Sequence, residues 1–318
     1  MVDWKHMNKA QTTLIGVPLD LGAENLGVSM GADTFRFQHI VSKLESAGLS
    51  VQDKGNIAVK ERSSIPVGNP KLRHLEEIVR VSNETAKLTD KAMQDGNRAV
   101  VLGGDHSICL GAVAGASVGL KGNLGLIYFD AHGDMNTDQT TPTGNIHGMH
   151  LASLMGFGAP KLAHVYGDQV KINKENLLHI GGCDFDQAEL DLVEREGLKT
   201  FSILDMLMNR LGPVFPMIDD LAKRVDNIWI SLDLDAIDEL YAPGAGMPNK
   251  KGLTYREIAA IADHIGKKCN VVGVDVVEYN PLQDVQGKTA ELAIELIATF
   301  FGKKYSWYTH YLKQNELA

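Results

Sequence analysis

Short apolar runs alternate with helix-periodic segments along almost the whole chain, and this alternation is what most limits its fold. Strands are expected at residues 13–18, 49–53, 99–102, 124–129, 177–180, 200–203, 227–232 and 271–277. Helices are expected at 34–47, 72–94, 107–118, 145–154, 187–196, 216–225, 255–265 and 289–301. Runs such as 99–102 and 124–129 are apolar at both alternating sets of positions, so neither face suits water. Strands of that kind, separated by helices, predict a mainly parallel sheet covered on both sides. Ligands of such sheets sit beyond the carboxyl ends of the strands. No repeat or clear linker divides the chain, and 156–174 is the only loop-like break. Residues 1–318 are therefore read as one α/β domain.

Three of the runs end in acids and imidazoles. Asp130-Ala131-His132-Gly133-Asp134 follows 124–129, Asp233-Leu234-Asp235 follows 227–232, and Gly103-Gly104-Asp105-His106 follows 99–102. On an extended chain, residues two apart point the same way. Asp130, His132 and Asp134 can then share one side, as can Asp233 and Asp235. So many carboxylates in one pocket repel each other unless cations neutralise them. Four Asp charges balance two divalent ions, which predicts a binuclear centre. His106 joins the expected ligands by its place after a strand and two glycines, while Asp105 either supports its loop or contacts the ligands from behind. An oxygen-rich set with two imidazoles suits Mn2+ and also admits Fe, Co or Zn. Two such ions lower the pKa of a shared water to near neutral, which supplies a hydroxide for hydrolysis.

Composition narrows the partners. A formal charge of −9 argues against nucleic acid, which normally needs a basic patch. Three scattered cysteines, Cys109, Cys183 and Cys269, make neither a disulfide framework nor a zinc finger and read as reduced thiols of a cytoplasmic protein. Residues 1–11 lack the apolar segment of a signal peptide. No run approaches the ~18 apolar residues that span a membrane.

The motifs as a set resemble the ureohydrolase superfamily from about Thr12 to Gly302. Gly103-Gly104-Asp105-His106-Ser107, the 130–137 stretch Asp130-Ala131-His132-Gly133-Asp134-Met135-Asn136-Thr137, and Ser231-Leu232-Asp233-Leu234-Asp235 with Ala242-Pro243-Gly244 resemble its three signatures. Ile15-Gly16-Val17-Pro18 and the 274–281 stretch around Glu278 also fit. Thr143-Gly144-Asn145-Ile146-His147-Gly148-Met149 resembles the substrate loop of arginases, which agmatinase-like members usually lack.

The resemblance implies an α/β; three-layer α/β/α sandwich with a mainly parallel sheet, and two Mn2+ per subunit. His106, Asp130, Asp134 and Asp233 would hold one ion, and Asp130, His132, Asp233 and Asp235 the other. A hydroxide between the ions would convert L-arginine to L-ornithine and urea. Glu278 would receive the guanidinium, His147 would pass a proton to the leaving amine, and Asp134 would also orient the hydroxide. Asn136 and Thr143 would read the substrate α-carboxylate, and Asp186 would meet the α-amino group. The resemblance also suggests a homo-oligomer, trimer or hexamer, with the 303–318 tail in an interface.

The chain departs from the arginase pattern at three places. Thr143 stands where Ser is commoner, Cys183 where many members carry Arg, and Ala236 where the pattern favours Gly. Ala takes positive φ less cheaply than Gly, so a different turn is expected after Asp235. Agmatine or another guanidino compound is the alternative substrate. A deacylase of the related one-zinc type fits poorly with a second D-x-D and His106. A catalytically silent binding protein fits poorly with the intact ligand set.

Overall fold

The structure is a computed structural model that describes residues 10–304. Its frame is an eight-stranded sheet. The strands are β1 (Gln11–Val17), β2 (Ser50–Asn56), β5 (Arg98–Gly103), β6 (Leu124–Phe129), β7 (Leu177–Ile180), β8 (Lys199–Phe201), β9 (Asn227–Asp233) and β10 (Val271–Val277). Two short segments, β3 (Gly68–Asn69) and β4 (Leu72–Arg73), form a separate antiparallel pair. The large sheet runs β2-β1-β5-β10-β9-β6-β7-β8, and every pairing in it is parallel.

Alternation along each strand divides two cores. Val100 and Leu102 of β5, Ile127 and Phe129 of β6, and Ile228, Ile230 and Leu232 of β9 pack on one face. Ala99 and Val101, Leu124, Leu126 and Tyr128, and Trp229 pack on the other. Full burial of each large side chain contributes about 1.5–3 kcal/mol. Ile230→Ala, at the centre of the sheet, costs about 2–5 kcal/mol with its cavity.

The helices complete the outer layers. They are α1 (Gly31–Phe37), α2 (Ile40–Ser46), α3 (Leu75–Gln94), α4 (Cys109–Gly119), α5 (His150–Leu154), α6 (Pro160–Ala163), α7 (Gln187–Glu196), α8 (Ile203–Asn209), α9 (Val214–Arg224), α10 (Tyr255–Lys268) and α11 (Lys288–Phe300). α3 and α4 touch backbone to backbone. A Cβ on Gly111, Gly115 or Gly119 would stand 2.4, 2.3 or 2.6 Å from the carbonyl oxygens of Ser82, Ala86 and Asp90. Only glycine at this four-residue spacing permits so close an approach. It seats α4, and with it the adjoining loop that carries His106, firmly against α3.

The three-layer α/β/α architecture matches the expectation, with local differences. The helix expected at 34–47 is two, because His39 takes φ 61° and interrupts it. Leu72 and Arg73 form β4 rather than the first turn of α3. Residues 145–154 begin as a 3-10 turn, Ile146–Gly148, before α5. The strand expected at 200–203 ends at Phe201, because Ser202 caps α8 reciprocally with Asp205. Ala236 lies in a 3-10 turn, Leu234–Ala236, and is not at positive φ, so the turn after Asp235 needs no glycine there. Of the proposed interface tail, residues 305–318 lie outside the described residues. Among the described residues no helix is long and apolar enough to cross a membrane.

Candidate active site

Strands β5, β10, β9, β6 and β7 are consecutive neighbours, so their carboxyl ends form one rim. Beyond it follow His106 after β5, Glu278 after β10, Asp233 and Asp235 at the end of β9, Asp130 to Asp134 after β6, and Asp186 after β7. The rim borders a pocket of about 250 Å³.

Two sets of ligand-type atoms lie at its floor, His106 with Asp130 and Asp233, and Asp130 with His132 and Asp235. Asp130 belongs to both. Within each set the atoms lie within 4.8 Å of one another. His106 Nδ1 faces Asp130 Oδ2 at 2.9 Å, Asp233 Oδ2 at 3.1 Å and Asp134 Oδ2 at 3.3 Å. His132 Nδ1 lies 3.0 Å from Asp235 Oδ2 and 3.4 Å from Asp130 Oδ1. All six residues expected to bind metal therefore meet.

Backbone amides fix the carboxylates. His132 N donates to Asp130 Oδ1 at 2.7 Å, Ala131 N to Asp235 Oδ1 at 3.1 Å and Asp235 N to Asp233 Oδ1 at 2.9 Å. These bonds leave one oxygen of each acid for the cluster. From behind, Ser231 Oγ lies 2.9 Å from His106 Nε2 and donates to Asp275 Oδ1 at 2.6 Å. Trp229 Nε1 donates to the other oxygen, Asp275 Oδ2, at 2.5 Å. His106 Nε2 is thus a ring donor, and Nδ1 faces three carboxylates.

That arrangement suits a cation. Asp130 Oδ2 is buried and has no hydrogen-bond partner of proper geometry among the described residues. A buried acceptor without a donor is costly, and oxygen and imidazole donors are what a hard to borderline divalent ion takes. The electrostatics agree. Burial, then the charges of Asp235 and Asp130, push Asp233 well above the usual carboxylate range. Burial and Asp130 push Asp235 up to about 6. Burial opposes charge on His106, yet Asp130, Asp134 and Asp233 outweigh it and raise the imidazole. The residues present fit a pair of divalent ions.

Glu278 closes another side. Its Oε1 accepts from His106 N at 2.9 Å and lies 3.3 Å from His147 Nδ1. Asp134 and Glu278 both hold left-handed backbone, at φ 52° and 57°. Such geometry costs a non-glycine residue about 1–3 kcal/mol and gathers at functional sites. Glu278 N donates to Gly104 O at 2.8 Å and Glu278 O accepts from Gly246 N at 2.6 Å, which holds the residue there.

At the outer end, Asn136 Nδ2 donates to Asp186 Oδ2 at 2.6 Å. Asp186 also caps α7 in a reciprocal box with Glu189. Thr143 lines the same wall, and its Oγ1 accepts from Asn145 N at 3.2 Å. The Cys183 thiol turns away, accepts from Asn249 Nδ2 at 3.1 Å and lines an apolar groove outside the site. Asp105 is spent on its own loop, accepting from Gly22 N at 2.7 Å and from Ser107 N at 3.0 Å.

The family model for the arginase family matches residues 10–302. The chain belongs to the arginase family. It is 38% identical over 304 residues to the arginase of Brevibacillus brevis, an alignment covering 94% of this chain and 99% of that one. The crystal structure of Bacillus cereus arginase superposes with TM-score 0.87 at 37% identity, covering 93% of this chain and all of the other. An Entamoeba histolytica arginase solved in complex with L-ornithine gives TM-score 0.84 at 30% identity, covering 92% and 98%. As an arginase-family member the protein is a hydrolase acting on the C–N bond of a guanidino group.

Sequence reasoning missed several neighbours of this arginase-type site. Glu189 lines the pocket and accepts from Met135 N and Asp186 N, both at 3.0 Å. Burial and then Asp134 push its carboxyl up to about 7. Its sequence signal was the capping pattern Asp186-x-x-Glu189, which marks a helix start as readily as a site. Tyr128 and His150 stand behind His106 with ring centroids 4.8 and 4.4 Å away, and no motif announced either. Asp184 and Met247 also line the pocket.

Proposed function

We infer that the protein is a binuclear manganese enzyme that hydrolyses L-arginine to L-ornithine and urea. The single observation that carries the metal part is the convergence of four Asp and two His on an acceptor-rich floor where Asp130 is common to two ligand sets. On this reading His106, Asp130, Asp134 and Asp233 hold one ion, and Asp130, His132, Asp233 and Asp235 the other. When bound, two Mn2+ supply neutralising charge and a hydroxide equivalent at neutral pH.

The chain's own residues do the rest. The Glu278 carboxylate pairs with the guanidinium and places its carbon over the floor. A bond forms from water oxygen to that carbon, and the bond from the carbon to the substrate's chain nitrogen breaks. His147, beside Glu278 and lining the pocket, delivers a proton to that nitrogen. Asp134 orients the attacking oxygen.

At the outer end Asn136 and Thr143 donate to the α-carboxylate, and Asp186 meets the α-ammonium. The Thr143 hydroxyl lines the pocket as a Ser hydroxyl would. The L-ornithine held by the Entamoeba histolytica arginase supports an amino-acid substrate over agmatine, which lacks the carboxylate. The acidic lining suits a cationic small molecule and repels nucleic acid. The chain acts as one α/β unit, in the cytoplasm, within a homo-oligomer. The test is urea release from L-arginine and from agmatine by manganese-loaded protein. Arginine turnover at a kcat/KM well above that of agmatine supports the assignment, and the reverse order discards the roles of Asn136, Thr143 and Asp186.

A further inference from the structure

The short hairpin of β3 and β4 lies against the loop that carries Thr143. Gly68 pairs with Arg73 and Asn69 with Leu72, and His74 N donates to Val67 O at 2.8 Å across its base. Lys71 N donates to Asn69 Oδ1 at 2.9 Å, an Asx turn that fixes the tip. Leu72 is buried and anchors the hairpin to the core, while Lys71 is exposed. From the tip, Lys71 Nζ donates to Thr141 O at 2.6 Å and Arg73 N donates to Gly144 O at 3.0 Å. Among the described residues no other hydrogen bond reaches 141–145 from outside the 137–145 loop. The bonds from Gly144 N to Thr141 Oγ1 and from Asn145 N to Thr143 Oγ1 stay inside it. Gly144 also meets the hairpin backbone directly. A Cβ there would stand 1.8 Å from Pro70 O, and its φ of 77° favours glycine. The glycine after Thr143 is what lets the loop lie on the hairpin.

The two residues proposed to read the α-carboxylate are supported differently. Asn136 N donates to Gly148 O at 3.0 Å, and its side chain bonds Thr140 and Asp186. Thr143 is exposed, in a turn whose outside hydrogen bonds come from the hairpin alone. We propose that the β3–β4 hairpin positions Thr143 for the substrate α-carboxylate, with Lys71 as the side chain that holds the loop. This inference rests on the reading of the site as an L-arginine hydrolase. Without the Lys71 bond, binding must also order the loop, so affinity falls for a substrate that carries the carboxylate. Chemistry at the floor of the pocket is untouched, and agmatine, which has no carboxylate, does not use Thr143. Lys71 does not line the pocket. It is a positioning residue and does not touch substrate.

The experiment is steady-state urea release from L-arginine by the manganese-loaded full chain, for wild type, Lys71→Met and Lys71→Arg. Agmatine is measured in parallel as a competitive inhibitor, so its binding is read whether or not it turns over. In Lys71→Met the KM for L-arginine is predicted to rise about two- to tenfold, the worth of one hydrogen bond, with kcat close to wild type. The Ki of agmatine should stay at the wild-type value. Lys71→Arg keeps a donor and should return the KM toward wild type. An unchanged KM for L-arginine in Lys71→Met overturns the proposal. So does an equal rise in the KM of L-arginine and the Ki of agmatine, or a fall in kcat at unchanged KM, because either signature belongs to general support of the site. Lys71→Arg as impaired as Lys71→Met overturns the bond to Thr141 as the cause. A wild type that binds agmatine but releases no urea from L-arginine overturns the substrate reading itself, and the role of the hairpin with it.

Discussion

His147 Nδ1 lies 3.3 Å from Glu278 Oε1, although the two residues belong to loops after different strands and are 131 positions apart. Burial opposes charge on the imidazole, but the hydrogen bond and charge of Glu278 outweigh it, helped by Asp134 and Asp105. The His147 pKa is raised to about 9. In metal-stripped protein a folded pKa above the unfolded value of 6.5 gives stability that is complete below pH 6.5 and lost as pH rises through about 9. Urea unfolding of wild type and His147→Asn between pH 6 and 10 measures this. The gap is predicted to be widest near pH 6 and to close above pH 9; a gap that widens with pH contradicts the pairing.

Asp130 stands in both ligand sets, whereas Asp235 stands in one. Asp130→Asn is therefore predicted to lose both ions and Asp235→Asn only one. Removing a group that merely orients a ligand costs about 10–100-fold, so loss of the shared ligand should lower activity at least 100-fold. Elemental analysis of dialysed protein reads the stoichiometry. Two ions retained by Asp130→Asn would show that neither ion depends on it.

Gly246 leaves room for Glu278. A Cβ there would lie 2.5 Å from Glu278 Oε2, the end of a flexible side chain rather than backbone. Gly246→Ala should fold with little loss of stability yet push the carboxylate off its station. We predict at least a tenfold loss in kcat/KM, corresponding to about 1.4 kcal/mol, with a melting temperature close to that of wild type. An unchanged kcat/KM would show that Glu278 does not need its present position.

Asn136 separates the substrates. If its amide reads an α-carboxylate, Asn136→Ala should raise the KM for L-arginine about tenfold or more, the worth of a hydrogen bond to a charged group. Any slow turnover of agmatine, which has no carboxylate, should barely change. Equal effects on both substrates would assign Asn136 to holding Asp186, to which it donates at 2.6 Å.

How much of this could be read from the chain depends on how local each cause is. Asp130, His132, Asp134, Asp233 and Asp235 were legible because a two-residue period at a strand end fixes where side chains point. The doubly covered sheet was legible because the runs Ala99–Leu102 and Leu124–Phe129 are hydrophobic at both alternating sets of positions. The break at His39 was not, since the left-handed conformation of a non-glycine residue there has no local signal. Nor was Tyr128. It reads as one more apolar strand residue, and the polar setting of its hydroxyl appears only when β5, β6 and the loop before α5 bring His106, Asp134 and His150 around it. Of the departures from the family pattern, Cys183 turns out of the pocket and Ala236 needs no special backbone.

The measurement that tests the central claim most directly is urea release from L-arginine by chelator-stripped protein, followed as Mn2+ is titrated back. The account predicts no activity without metal and activity that rises to a plateau at two bound ions per chain, with agmatine far poorer under the same conditions. Undiminished urea release from fully stripped protein, or a plateau at two bound ions with no urea from arginine, would contradict it.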